Sequence, residues 1–542
     1  MSVGGEPTSS GRALDEVAFP DAARLTVYSL VAAALSLRLA YYLINPTFST
    51  DEAQLALNVL HRSYAGLFHQ LDFNQAAPVG FLFVEKLAIG GLGSSEYAFR
   101  LFPLVSAIVA ALLFYPVASK FIGRQAALLA LILFTVSGVL LFYGATSKPY
   151  STDVAVALAL YAAIFLVGDN AGRRWWIVLA LAGGIAVWLS YPAIFVLAGV
   201  GSVLILDSLL GYRWGRVTLL LLVCAVWLSN FAASYMVTHS SIAHIQRSFA
   251  GDSAARIAVG GNSASAFKSY GGAVQLLLGI PHFGVAARYS LVFIGILLCV
   301  VGLGSLSARR WTHALLLVAP ALFALLASAI GKYPLYARTL LFLVPALLIL
   351  IARGIWFLAG RARPRPLAAG AGAAFAALFI ASVVVPTNHL FVVQDGGELK
   401  QAMRYLAHNQ QPADSLYVYS RAQYDLRYYL ECGCFADRST VRRAHSLWPL
   451  RPTRGSPAEW APAMRSVLPR LVVGNSASTV GLDYEPDFAR LRGRSRVWIL
   501  IAGAAPESSR ALISFLDKHS TREKTFRTRN DVAAVNLYSF GR

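Results

Sequence analysis

Leu25 to Asn45 reads LTVYSLVAAALSLRLAYYLIN, and the chain continues from Pro46 to Glu52 as PTFSTDE. A helix needs about 20 predominantly apolar residues to cross roughly 30 Å of hydrocarbon, and the first of these stretches supplies them. The second places two adjacent carboxylates, Asp51 and Glu52, where a helix leaving a membrane meets water. Only nine residues between Arg24 and Pro386 are acidic, and Asp51, Glu52, Asp72, Glu85, Glu96 and Asp153 are six of them. Ionisable groups are costly in membrane regions and are usually functional there. The clustering therefore points to a polar chamber at one face of a bilayer.

The whole chain supports a membrane setting. Its 542 residues are 57% hydrophobic and 14% charged, with a mean hydropathy of +0.57. That excludes a soluble globular protein and fits a polytopic one. Eleven apolar segments are long enough to be spans: 25–45, 101–118, 125–143, 152–168, 176–189, 193–210, 217–237, 287–306, 313–330, 339–358 and 367–386. Tyr191-Pro192 separates the fifth from the sixth, because proline breaks helix hydrogen bonding and the joined run is too long for one span.

Basic residues fix the orientation. Lys120 and Arg124, Arg173 and Arg174, Arg213 and Arg216, Arg309 and Arg310, and Arg361, Arg363 and Arg365 fall in alternate connections. Under the positive-inside rule those connections are cytoplasmic. Residues 1–22 are then a cytoplasmic tail without a cleavable signal, and the first span inserts the chain. Residues 23–386 form the membrane domain, with 46–100 and 238–286 as large periplasmic loops. Residues 387–542 are expected to be a periplasmic α/β domain. Helices are expected over 396–409 and 506–519, strands over 415–420, 470–474, 497–502 and 532–540, and an irregular loop over 439–466.

The net charge of +20 suits anionic membrane lipids as well as topology. A domain facing away from the cytoplasm makes nucleic acid an improbable partner. Cys224 and Cys299 read as packing residues. Cys432 and Cys434 flank one glycine, a spacing that strains a bridge, and they are assigned no function.

Six short polar motifs sit at the ends of spans on one face. They are Ser49-Thr50-Asp51-Glu52-Ala53, Asn74-Gln75-Ala76-Ala77-Pro78 with Glu85 and Lys86 following, Ser95-Glu96 through Arg100 to Pro103, Ser147-Lys148-Pro149-Tyr150-Ser151-Thr152-Asp153, Ser190-Tyr191-Pro192, and Lys332 to Arg338 with Tyr333 and Tyr336. Glu96 and Arg100 have the i, i+4 spacing of a helix salt bridge.

In order and sidedness these motifs resemble the GT-C superfamily of integral membrane glycosyltransferases. The similarity is to the branch of protein O-mannosyltransferases, lipid A aminoarabinose transferases and lipopolysaccharide-core galacturonosyltransferases, and it covers about residues 25–390. Asp51-Glu52 resembles the family's acidic signature, Glu96 to Pro103 its entry to the second span, and Tyr333 to Pro345 its late R-x-x-x-F-L-x-P pattern. The resemblance implies a multi-helix bundle that takes a sugar from a polyprenyl-phosphate carrier and passes it to a glycolipid, glycan or protein acceptor. It implies Asp51 and Glu52 as catalytic residues, and cations where phosphate charge grows, namely Lys148, Arg338 and Lys86. Gln75, Tyr150, Asp153 and Tyr336 would bind substrate, with Glu96 and Arg100 as structural support. Many relatives carry a cation before Pro-Pro where this chain has Gln75-Ala76-Ala77-Pro78, so Lys86 or Lys148 has to supply that charge. Two adjacent acids are also compatible with a divalent metal, and metal dependence is left open. The competing readings are a transporter or flippase for lipid-linked saccharides, which usually shows internal repeats, and an O-antigen ligase or polymerase.

Overall fold

The computed structural model describes residues 21–167, 172–249, 285–335, 337–361, 398–448, 471–474, 484–489, 491–504, 506–528 and 533–540. Ten of the eleven apolar segments lie in helices, and the eleventh, 367–386, falls outside the described residues. The helices are α1 (Asp21–Ile44), α4 (Glu96–Ile122), α5 (Arg124–Thr135), α6 (Gly138–Gly144), α7 (Tyr150–Leu166), α8 (Arg173–Leu189), α9 (Ala193–Leu210), α10 (Trp214–Phe249), α11 (Val285–Ser307), α12 (Trp311–Ala329) and α13 (Val344–Arg361), the last preceded by a 3-10 helix, Ala337–Leu343. Among the described residues six helices are long and apolar enough to cross a membrane; α5 with α6 makes a seventh if that bent pair is one span. The expected number of eleven therefore includes helices such as α7 and α8, each of 17 residues, that are shorter than this.

The bend between α5 and α6 is 57°. Thr135 Oγ1 bonds back to the Leu131 carbonyl at 2.8 Å, a local bond that competes with the helical ladder. The break around Tyr191-Pro192 is where the sequence puts it, with α8 ending at Leu189 and α9 starting at Ala193.

Small residues let the helices approach closely, as expected where lipid removes the hydrophobic drive to associate. A Cβ on Gly302 of α11 would lie 2.1 Å from the Leu350 carbonyl oxygen of α13. A Cβ on Gly354 of α13 would lie 2.2 Å from the Leu298 oxygen of α11. The indole of Trp227 fills the space beside Gly183 and donates to the Leu179 carbonyl at 3.2 Å, joining α10 to α8.

The connection between α1 and α4 folds into α2 (Thr50–His61), a 3-10 turn (Ala65–Phe68) and α3 (Val79–Leu92). Helix α2 starts on a capping box. Ser49 Oγ accepts from the Glu52 N–H at 3.4 Å, and the Glu52 carboxylate accepts from the Ser49 N–H at 3.0 Å. This reciprocal pair satisfies two of the donors that a helix start leaves open.

The C-terminal region is α/β, as expected. It contains α14 (Glu398–Asn409), β1 (Ser415–Val418), α15 (Ala422–Cys432), α16 (Arg438–Leu447), β2 (Leu471–Val473), α17 (Glu485–Phe488), β3 (Val497–Ala502), α18 (Pro506–His519), β4 (Thr521–Arg527) and β5 (Ala533–Ser539). The sheet order is β2-β1-β3-β5-β4. Strands β2, β1 and β3 are parallel, while β5 runs antiparallel to β3 and β4. All six residues of β3 are buried, as befits a central strand covered on both faces.

Three expectations need correcting. The first nine residues of the expected loop, 439–447, lie in α16, because Asp437 caps that helix by accepting from Ser439 and Thr440 N–H at 2.9 and 3.3 Å; residues 449–470 lie outside the described residues. Helix α15 and strand β4 were not expected at all. Cys432 and Cys434 are joined by a disulfide despite their tight spacing.

Two large hydrophobic cores result among the described residues, beside a small cluster of Tyr41, Leu141 and Ala145. One runs through the helical bundle, with Phe114, Leu158, Leu220 and Ile351 among its buried members. The other is shared. Phe48, Leu55, Leu57, Leu67, Phe81 and Phe99, from the α1–α4 connection and the start of α4, pack into the same cluster as Met403, Tyr428, Tyr429, Trp498 and Leu537 of the C-terminal region. The connection and the C-terminal sheet thus fold as one unit.

Candidate active site

Asp51 lies in the first turn of α2, and its Oδ2 accepts from Arg338 Nη1 at 2.8 Å, both side chains being about half exposed. Arg338 belongs to the 3-10 helix before α13. Lys148 occupies the turn between α6 and α7, and that turn is tied to α2 by the Ser147 N–H, which donates to Glu52 Oε1 at 2.9 Å. The Lys148 ammonium donates to Gln75 Oε1 at 2.6 Å, and Gln75 Nε2 donates to Gln54 Oε1 of α2 at 2.8 Å. Phe73 and Asn74, just before Gln75, both have left-handed backbones with φ of 61° and 53°. Consecutive non-glycine residues in that region carry strain that the surrounding structure must hold.

The electrostatics follow from burial and charge. Burial pushes the Asp51 carboxyl up, but Lys148, Arg338 and Arg421 together outweigh it and hold the group below the usual carboxylate range. Burial lowers the Lys148 ammonium to about 8, with Asp51 opposing that shift. A lysine near 8 still carries its charge at neutral pH. The site is thus one carboxylate bonded to Arg338 and within the electrostatic influence of Lys148 and Arg421.

Glu52 is turned the other way. It is 4% exposed and accepts from Arg100 Nε and Nη2 at 3.3 and 3.1 Å, as well as from Ser49 and Ser147. Arg100 also donates to Asn45 Oδ1 at 3.0 Å and to the Pro46 carbonyl, and lies over the Phe48 ring. Among the described residues the carboxylate bonded to Arg100 is therefore Glu52, and the expected i, i+4 pair with Glu96 does not form. Glu96 instead accepts from Tyr429, Lys400 and Asn45, because the C-terminal region brings its own donors to that end of α4. Tyr429 OH also accepts from the Phe48 N–H at 2.7 Å.

Tyr150 meets Tyr143 edge to face at 5.0 Å, and both rings lie within electrostatic reach of Arg338 and Asp51. Asp153 is buried one turn further along α7, in a second polar cluster with Ser190, Tyr191 and Tyr333. Lys86 is not brought to Asp51. It donates to the Val59 carbonyl in α2 at 2.8 Å and faces the Tyr64 ring. Tyr336 lies outside the described residues. Glu85 is fully buried and its carboxyl oxygens have no hydrogen-bond partner among the described residues; burial, reinforced by Glu52, pushes its acid form well up.

No group of three or more metal-ligating side chains occurs among the described residues. Glu52's oxygens are engaged by Arg100, Ser49 and Ser147, and Asp51 faces cations, so the adjacent acids do not present a joint pair of oxygens to a metal. Sequence reasoning missed Gln54, Lys400, Arg421 and Tyr429. The S-x-x-E cap signal was present in Ser49-Thr50-Asp51-Glu52, but no local pattern marks the other contacts.

No protein-family model matches the chain, and no curated protein matches its sequence significantly. Solved structures do match in shape. ArnT from Cupriavidus metallidurans bound to undecaprenyl phosphate superposes with a TM-score of 0.50 at 15% identity, covering 94% of this chain and 97% of that one. The apo state of the same protein gives 0.51 at 16% identity, covering 95% and 98%. The chain shares the fold of that protein. The apo oligosaccharyltransferase of Archaeoglobus fulgidus is a more distant match, with a TM-score of 0.47 at 11% identity, covering 95% of this chain and 74% of that one. The likeness to ArnT takes in nearly the whole of both chains.

Proposed function

We propose that this chain is a membrane glycosyltransferase that moves a sugar from a polyprenyl-phosphate carrier to an envelope acceptor on the periplasmic face of the inner membrane. The acceptor would be a glycolipid such as lipid A or its core saccharide, another glycan, or a protein. The observation that carries this reading is the Asp51 carboxylate held among Lys148, Arg338 and Arg421 at the end of a GT-C bundle.

The chemistry uses each part. Asp51 accepts the proton of the acceptor hydroxyl as its oxygen attacks the sugar's anomeric carbon. The bond from that carbon to the phosphate oxygen breaks, and polyprenyl phosphate leaves with its charge stabilised by Lys148 and Arg338. Arg338 suits a forked grip on phosphate oxygens, while Lys148 acts as a point charge. Attack opposite the leaving phosphate inverts the anomeric centre. Glu52 and Arg100 brace the start of α2, and Gln75 orients the Lys148 ammonium. Tyr150 and Asp153 border the sugar.

The test compares envelope lipids and glycans by mass spectrometry in cells lacking the gene, complemented with the wild type or with Asp51→Asn. A saccharide present with the wild type and missing with Asp51→Asn at equal membrane abundance supports the reading. Equal saccharide profiles in all three strains would overturn it.

A further inference from the structure

The C-terminal sheet has no part in the steps above, yet it reaches the first turn of α2. Gly503 follows β3 with φ +65, and the position its Cβ would take lies 3.0 Å from Thr50 Oγ1 and 3.7 Å from Arg421 Cβ. Thr50 precedes Asp51 and donates its hydroxyl to Asp425 Oδ2 at 2.9 Å. Asp425 lies one turn along α15 from Arg421, which is the residue before that helix. The end of β3 and the start of α15 are therefore both set against the residue next to Asp51. Arg421 itself is exposed.

We propose that Arg421 is a positioning residue of the active site, so that the C-terminal region contributes a side chain to it. The inference rests on Asp51 being the reactive carboxylate, but its charge geometry is open to test without a sugar donor. The groups that act on Asp51 are Lys148 from the α6–α7 turn, Arg338 from the 3-10 helix and Arg421 just before α15, with Tyr143 and Tyr150 within electrostatic reach. Glu52, its neighbour in sequence, faces Arg100. Lys148 and Arg338 both come from the helical bundle. Arg421 is the one cation in this set that arrives with the sheet, so docking of the sheet sets part of the field at Asp51.

The experiment uses the full chain in detergent micelles. A carbodiimide with an amine nucleophile labels protonated carboxyl groups, and peptide mass spectrometry reads labelling at Asp51 across acidic pH. In Arg421→Gln and Arg421→Met the labelling midpoint of Asp51 rises by about half a pH unit, the size expected of one unpaired charge acting through partly screened space. Arg421→Lys stays near the wild type, and Asp72, which is paired with Arg62, does not move in any variant. A midpoint at Asp51 unchanged in both neutral variants overturns the proposal. So does a shift shared equally by Asp72 or by Arg421→Lys, which would mean general loosening. Undecaprenyl phosphate added to the wild type should protect Asp51 from label. Failure of that protection counts against the transferase reading and leaves the Arg421 result standing.

Discussion

The Lys148 ammonium and the Gln75 carbonyl oxygen are 2.6 Å apart, although the residues are 73 positions apart in the chain. The bond sets a lysine from one connection on the Gln75 side chain of another, at the position where the sequence resemblance leads one to expect a cation. The ammonium thus reaches that position from a different segment of the chain.

That exchange can be tested by reversing it. Lys148→Gln should lower sugar transfer by about 10²-fold, the loss expected when one group stabilising transition-state charge is removed. Adding Gln75→Lys to it should recover at least a tenfold part of that loss. Gln75→Lys alone should be harmful, because it sets two ammonium groups face to face. A double variant no better than Lys148→Gln would show that the two positions are not interchangeable.

Asp51 and Glu52 should separate cleanly. Asp51→Asn removes the proton acceptor and should cut transfer by about 10²–10⁴-fold with unchanged thermal unfolding. Glu52→Ala strands the buried Arg100 charge, which costs about 3–5 kcal/mol, so it should lower the unfolding temperature and the folded yield. Equal stability of Glu52→Ala and wild type in micelles would contradict the bracing role.

The pH profile follows from the two shifted groups. Asp51, held below its ordinary range, is already ionised as base under mildly acidic conditions, and its activity is lost only as pH falls further. Lys148 is charged below about 8 and loses its charge as pH rises through that value. Transfer should therefore fall on the alkaline side near pH 8. Lys148→Arg should abolish that alkaline fall within the range where the protein stays folded, since guanidinium keeps its proton. An identical alkaline limb in wild type and Lys148→Arg would assign the limb to another group.

The α11–α13 contact allows no added atoms. Gly354→Leu forces a side chain into the Leu298 carbonyl, and overpacking of this kind typically costs about 1–3 kcal/mol. Thermal unfolding in micelles should register the loss. Gly304→Leu, where nothing lies within 4 Å of the added carbon, is the matched control and should be near neutral.

Much of the bundle was legible because hydrocarbon imposes a length and polarity on each span, and ten of the eleven segments appear as helices. The C-terminal strands were legible where apolar runs were unmistakable, as in Val497 to Ala502. Strand β4, Thr521 to Arg527, was not, since an edge strand of mostly exposed polar residues has no apolar alternation to read. At the candidate site, Asp51 and Arg338, both singled out by the resemblance, are bonded to each other, and Lys148 lies on the turn that Ser147 ties to α2. The contacts around them were not legible. Glu52 meets Arg100 from 48 residues away, and Glu96 meets Lys400 from 304 away. Local spacing instead favoured Glu96 with Arg100, because the i, i+4 rule sees one helix and has no knowledge of what packs across it. Ser49 to Glu52 carried a cap that was read only as an acidic signature. Lys86 had the right charge and the wrong side of α3.

The shared core has a consequence for how the protein is made. Phe48, Leu55 and Phe81 leave the ribosome after α1 and before the rest of the bundle, while Trp498 and Leu537, their partners in the same cluster, leave it after the described bundle helices. The α2 segment must therefore wait with its greasy side uncovered until those strands are made. A ribosome that stalls before those strands would leave the bundle made and α2 without its cover.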